Sequence, residues 1–173
     1  MRSKGFEGMV CSVADVMGAI GDRWGALIMR DLLLGLTRYD DLRRSTGVTN
    51  ATLTDRLKEL ERNGLIERRR YQTRPERFEY VPTQRGRELR LLMQAMVQIG
   101  DQWNLNGLDG PPIRFIDDRS GHEVKLALLD AETGELASAA QLRPVPGNGA
   151  DALMQWRLAR GASVTGETHP SVP

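Results

Sequence analysis

Over residues 11–103 the apolar positions recur every three to four residues in five successive blocks, interrupted once by two extended runs with aromatic and β-branched residues. This pattern predicts a mainly α chain carrying one β-hairpin. Val13, Val16, Met17 and Ile20 mark a first helix, which begins at Ser12 with a capping box, Ser12-Val-Ala-Asp15, that has Asp in place of Glu, and closes at Gly21. A second, over about residues 23–34, turns Trp24, Leu27, Ile28 and Leu32 inward, and its apolar content marks it as a central core helix ended by Gly35. The third, Tyr39–Thr46, is short and stops at Gly47. In the fourth, Thr49 is the N-cap, Leu53, Leu57 and Leu60 form one face, and Asn63-Gly64 ends the helix. Its other face is polar: Asn50, Thr52, Thr54, Arg56 and Lys58 are short enough or basic enough to meet base edges and phosphates. Two short helices joined by a tight glycine-containing turn, the second amphipathic, make a helix-turn-helix.

After Gly64 the period changes. Residues 65–71 and 77–81 are extended runs separated by Gln72-Thr-Arg-Pro-Glu76, and they predict a hairpin with Arg74 at its tip and Arg68, Arg70 and Arg77 on its flanks. A hairpin directly after a helix-turn-helix makes a winged helix, with Arg74 and Arg77 placed to meet phosphates. Thr83 then caps a helix over residues 84–103, with Leu89, Leu92, Met93, Met96, Ile99 and Trp103 on one face. At 1.5 Å per residue this is about 30 Å, longer than a compact winged helix needs, and it predicts a homodimer through that helix. Past residue 106 the composition shifts at Asp109-Gly-Pro-Pro112, which separates a 1–106 domain from a small β-rich extension over 107–173. Within the extension, residues 113–116 and 123–129 are strand-like, Ser120-Gly121 and Thr133-Gly134 are turns, residues 150–160 are helical through Leu153, Trp156 and Leu158, and the last dozen residues are expected to be mobile.

Composition narrows the function classes. No apolar run approaches the roughly 18 residues of a membrane span, and Glu7 and Asp15 interrupt any secretory-signal core, so a cytoplasmic location is expected. A lone Cys11 excludes an internal disulfide, and two histidines, His122 and His169, leave little for a metal; no cofactor is expected. No nucleophile has a nearby base and no glycine loop cradles a phosphate, so an enzyme is not expected. The formal net charge of +1 conceals an asymmetry: residues 38–90 hold 14 Lys and Arg against 9 Asp and Glu, whereas residues 105–173 hold 6 against 9. Cations clustered around the fourth helix gain affinity at a phosphate backbone by counterion release. The alternative is a winged-helix assembly module whose basic face binds an acidic protein; competition by upstream intergenic DNA at physiological salt separates the two.

The pieces Ile20-Gly-Asp-Arg-Trp24, Ile28-Met-Arg-Asp-Leu-Leu33, Arg38-Tyr-Asp-Asp-Leu42, Gly47-Val-Thr49, Leu53-Thr-Asp-Arg-Leu57, Leu60-Glu-Arg-Asn-Gly-Leu65 and Arg74-Pro-Glu-Arg-Phe-Glu-Tyr80 stand in order, with Cys11 before them and Thr83 and Gly86 after. In these the chain resembles the HxlR-type transcriptional regulators, winged-helix relatives of the MarR group. The resemblance implies a homodimeric regulator, a repressor in our reading, that binds a pseudo-palindromic double-stranded operator with the helix from Thr49 in the major groove. Some members carry a zinc-ribbon-like extension with cysteine pairs. Here Asp117-Asp-Arg-Ser120-Gly-His122 and Asp130-Ala-Glu-Thr133-Gly keep the spacing without the cysteines, which predicts a metal-free remnant. Several members sense oxidants or electrophiles through an N-terminal cysteine, which makes Cys11, just before a helix start, a candidate redox sensor; the alternative is a small apolar residue packing toward Val16. Trp24, Met96 and Trp103 are candidates to line an effector pocket between subunits, or plain core.

Overall fold

The computed structural model describes residue 6 and residues 8–165. The described residues divide into two compact units, one of residues 17–127 and one that joins those before 17 to residues 128–165. Helix α1 (Ser12–Ile20) crosses that boundary in sequence. Cys11, not Ser12, takes its N-cap position, because the Cys11 carbonyl already accepts the first helical bond, from Asp15 N at 3.0 Å. Ala14 and Ile20 are buried, whereas Val13, Val16 and Met17 are exposed, so most of the expected apolar stripe faces solvent in the single chain.

The core of the first unit is built on α2 (Arg23–Leu33). Asp22 caps it, accepting from Trp24 N at 2.9 Å and Gly25 N at 3.0 Å, and so pairs two of the amides that a helix start leaves orphaned. Ile28, Met29 and Leu32 share one buried cluster with Leu42 of α3 (Tyr39–Thr46), with Leu53, Leu57 and Leu60 of α4 (Asn50–Arg62), and with Leu65, Ile66 and Leu89. Met29 belongs to this core although the helical spacing did not single it out. Trp24 and Leu27, expected inside, are only half-buried; Trp24 packs at the core margin under the Arg23 guanidinium, 5.2 Å from its ring centre. A fully buried leucine stabilises by about 1.5–3 kcal/mol, so the three on α4 fix that helix's rotation more firmly than a surface ion pair could.

Strands β1 (Ile66–Thr73) and β2 (Glu76–Pro82) pair antiparallel, with Ile66 opposite Pro82 and Thr73 opposite Glu76. The expected five-residue loop therefore shrinks to Arg74 and Pro75, because backbone pairing continues past the last apolar side chain. A third segment joins the hairpin: Arg38 bridges to Glu79, and Tyr80 N donates to Thr37 O at 2.7 Å. Two residues are too short to show alternation, so the sequence carries no signal for this pairing.

The helix expected over 84–103 is two helices, α5 (Gln84–Glu88) and α6 (Arg90–Trp103). The break falls at Leu89, whose N–H bonds to Gly86 O at 3.2 Å, three residues back, while its side chain enters the core. Thr83 caps α5 as expected, accepting from Gly86 N at 3.1 Å, and its hydroxyl donates to Gly64 O at 2.7 Å. The residues after α6 return along that helix. Gln98 accepts from Leu126 N at 3.0 Å and donates to Leu126 O at 3.1 Å, so one side-chain amide takes both backbone groups. The strands expected over 113–116 and 123–129 are accordingly reduced, with a single Ile116–Glu123 bridge inside this unit. Between them Asp117 Oδ1 accepts from Arg119 N at 3.0 Å and holds the turn.

In the second unit β3 (Leu128–Leu129) pairs with β4 (Leu136–Ala137), and a 3-10 turn and helix α7 (Ala152–Thr165) follow. The Asp130 carboxylate accepts from the amides of Thr133 and Glu132, both at 2.9 Å, and these bonds, that of Thr133 foremost, hold its pKa below the ordinary value. The expected mobile tail starts at residue 162; α7 runs to Thr165, and residues 166–173, His169 among them, lie outside the described residues. The expectation of no secretory signal likewise rests partly on N-terminal residues outside them. Among the described residues, no helix is long and apolar enough to cross a membrane.

Gly86 is where α5 meets the chain entering the hairpin: a Cβ there would stand 2.0 Å from the Leu65 carbonyl oxygen. Gly86→Ala is expected to lower stability by about 1–3 kcal/mol, seen as a lower urea midpoint with unchanged slope. An unaltered midpoint would mean that the contact relaxes without cost.

Candidate nucleic-acid interface

The turn between α3 and α4 is set by Gly47, which closes α3 in the left-handed conformation at φ 69°. Two residues later Thr49 starts α4, its hydroxyl accepting from Thr52 N at 3.2 Å. The Tyr39 hydroxyl donates to Asn50 O at 3.0 Å and lies 3.1 Å from the Thr54 hydroxyl, so the start of α3 is tied to the start of α4. With Leu53, Leu57 and Leu60 buried, the opposite line of α4 (Ala51, Asp55, Lys58 and Arg62) faces solvent, with Asn50 exposed at its leading end.

The structure separates the side chains that the polar pattern grouped together. Asn50 and Lys58 are exposed; Thr52 and Thr54 are half-buried, Thr52 beside the Thr49 hydroxyl at 3.0 Å. Arg56 lies on another flank. Its guanidinium pairs with Asp22 across to α2, Nε to Oδ2 at 3.1 Å, and with Glu59 one turn on, while Arg62 adds a longer pair to Glu59 at 3.7 Å. Asp22 therefore does two jobs: one carboxylate oxygen caps α2 and the other holds the helix of the turn. Helical spacing placed Arg56 among polar residues but could not show that an acid 34 positions earlier would occupy it. Asp22, Glu59 and Tyr39 are the positioning residues that sequence reasoning missed; only Asp22, a good cap type before an apolar block, carried a local signal.

On the hairpin, Arg70 pairs with Glu76 at 3.1 Å, Arg69 pairs with Glu67, and Arg68 stacks on Phe78 with its guanidinium carbon 3.5 Å from the ring centre. Arg38 stacks on Tyr71 at 4.7 Å. Arg74 and Arg77 are exposed and in no ion pair among the described residues, so the tip is the cationic part. At the hairpin root, burial pushes the Tyr80 hydroxyl pKa up, against the lowering effect of Arg68.

The groove along α6, about 770 Å³, is lined by residues such as Arg30, Val97, Gln98, Leu108, Ile113 and Phe115. Trp24, Met96 and Trp103 are not among its lining residues: Trp24 packs on the core, and Met96 and Trp103 stand 51% and 69% exposed on the opposite face of α6. Cys11 is half-exposed and a free thiol. Among the described residues, no three His, Cys, Asp or Glu side chains gather where they could hold a metal.

A helix-turn-helix with an antiparallel wing and a cationic tip defines the class as the winged helix-turn-helix transcriptional regulators. Within it the chain belongs to the HxlR-like helix-turn-helix family, whose model matches residues 19–107. It is 35% identical over 144 residues to an HTH-type transcriptional regulator of Mycobacterium tuberculosis, covering 83% of this chain and 89% of that protein. Among solved structures it is similar to the candidate transcription factor PA1607, with a TM-score of 0.72 and 28% identity over 83% of this chain and all of that one. It is also similar to the redox regulator HypR in its oxidized form, with a TM-score of 0.50 and 30% identity over 53% of this chain and 96% of that one.

The double role of Asp22 can be separated. Asp22→Ala removes cap and ion pair together and is expected to cost about 1–2 kcal/mol. Asp22→Asn keeps a good cap and gives up only the pair, for less than about 1 kcal/mol. Equal unfolding midpoints for the two variants in urea would rule out the cap as the larger part.

Proposed function

We propose that this HxlR-type regulator is a homodimeric, sequence-specific repressor that acts on double-stranded operator DNA in the cytoplasm. The observation that carries this reading is the pairing of an outward polar face on α4, opposite three buried leucines, with the unpaired cations Arg74 and Arg77 on the wing. A helix in the major groove reads base edges while a basic hairpin beside it meets phosphates. In this reading Asn50, Thr49, Thr52 and Thr54 at the leading end of α4 meet bases or the adjoining backbone, and Lys58 meets phosphate. Arg56 reaches DNA only by leaving Asp22 and Glu59, so we assign it chiefly to holding α4.

The dimer is supported by the two faces of α6. Gln94, Val97, Gln98 and Asp101 line the groove covered by the chain's own returning segment, whereas Leu92, Met96, Ile99 and Trp103, on the opposite side by helical spacing, are exposed. A second copy packed there would bury the apolar stripe and hold two α4 helices at fixed separation. In this arrangement residues 1–106 bind DNA and dimerise, and the extension from 107 is accessory. An effector held by Trp24, Met96 and Trp103 across two subunits would act on that junction. Oxidation at Cys11 is the second input we propose, supported by the half-exposed thiol and by the likeness to a redox regulator. Lacking a second cysteine, the chain could form a disulfide only with another subunit or a small thiol. Oxidant-driven release from DNA that persists in Cys11→Ser would remove this input.

In-vitro selection from random duplexes is expected to return two half-sites about one helical turn apart; a single half-site would count against the dimer. On the selected sequence, Arg74→Ala and Arg77→Ala should weaken specific and non-specific binding alike. Each should flatten the log–log salt dependence by about 0.9. Unchanged salt slopes in both variants would remove the wing from the backbone.

A further inference from the structure

An acid sits at the centre of the outward line of α4. Ala51, Asp55, Lys58 and Arg62 follow one another at spacings of four, three and four residues, and all four are exposed. Of the basic side chains on this helix, Arg56 is held by Asp22 and Glu59, and Arg62 leans on Glu59. On this line the groups left without an ion pair are one base, Lys58, and one acid, Asp55, whose carboxylate has no hydrogen bond or ion pair among the described residues; the other exposed, unpaired acid of the helix, Glu61, lies to the side of the line.

Nothing in the helix accounts for that acid. Asp55 lies beyond the first turn, where a carboxylate would gain from the helix dipole, Thr49 already caps the start, and Asp is a mediocre helix former. Its nearest base on the same line, Lys58, is not within ion-pair distance. On a surface that docks against phosphates, a lone carboxylate is repelled by every sequence unless it accepts a hydrogen bond there. A carboxylate only accepts, and the major-groove edges of guanine and thymine offer it only further acceptors. Adenine sets its amino group beside the N7 acceptor, which repels the second carboxylate oxygen, whereas cytosine presents the N4 amino group alone.

We infer that Asp55 reads a cytosine amino group in each half-site and so determines specificity through both attraction and repulsion. Its charge raises the cost of other bases at that position, while Lys58 restores attraction to the backbone. The inference rests on the DNA-binding reading above and names the base that reading leaves open.

The test is selection from random duplexes at fixed salt with the full-length protein and its Asp55→Ala and Asp55→Asn variants, each matched to the native protein in its thermal melt. The native protein is expected to enrich cytosine at one position per half-site. Asp55→Ala should lose that preference by about tenfold with the other positions kept, and should bind non-operator DNA more tightly. Asp55→Asn should move the preference toward adenine, whose N6 and N7 suit an amide. An Asp55→Ala profile identical to the native one, or tightened equally on every sequence, overturns the assignment and leaves the DNA-binding reading intact. A native protein that enriches no duplex overturns both.

Discussion

The orientation of α4 against α2 is the constraint from which the other features of this protein follow. Leu53, Leu57 and Leu60 are essentially inaccessible to solvent and share their cluster with Ile28, Met29 and Leu32. Rotating α4 by even a third of a turn would expose apolar surface worth several kcal/mol. Once that rotation is fixed, Asp55 and Lys58 must point outward and Arg56 must lie along the flank toward Asp22. The polar contacts refine this arrangement without creating it. The Tyr39 hydroxyl on Asn50 and Thr54 and the Asp22–Arg56 pair are individually small terms in partly exposed settings.

The same economy appears where the wing leaves the core. Leu65 and Ile66 are buried, and the Leu65 carbonyl lies so close to Gly86 that no side chain fits between them. The hairpin is thus anchored at its root by packing and by the short Thr37–Arg38 pairing, while its tip carries the two unpaired cations. A surface that binds a polyanion in this way needs its cations free at the docking edge and neutralised elsewhere. Arg69, Arg70, Arg56 and Arg62, each beside an acid, fit that division.

The extension changes how α6 is understood. The Gln98 amide pairs with both backbone groups of Leu126, so the returning chain covers one side of the helix and leaves Met96 and Trp103 uncovered on the other. The turns at Asp117 and Asp130 keep their form because a carboxylate accepts backbone amides within the turn itself. A side chain engaged in this way holds the loop through its own hydrogen bonds.

Much of the fold was legible in the chain, because helix starts, stops and buried faces are local properties. Thr49, Gly47, the three leucines of α4 and the cap at Thr83 each act within a turn or two of their own position. The two extended runs and the Pro75 turn that announce the wing are local too. The sequence could not show which polar residues of α4 are free, because that depends on Asp22, which is distant in the chain and near only after α2 and α4 pack. Nor could it show the bend at Leu89, where the pull of the core on one side chain overrides a continuous helical pattern, or the two-residue pairing at Thr37–Arg38. By itself the sequence determined the order of elements from the first helix through the wing, the winged helix-turn-helix class and the region of positive charge, because periodicity and capping chemistry are written residue by residue. The tertiary structure alone decided which charges are spent on one another and which face outward, because ion pairing falls steeply with distances that only packing sets.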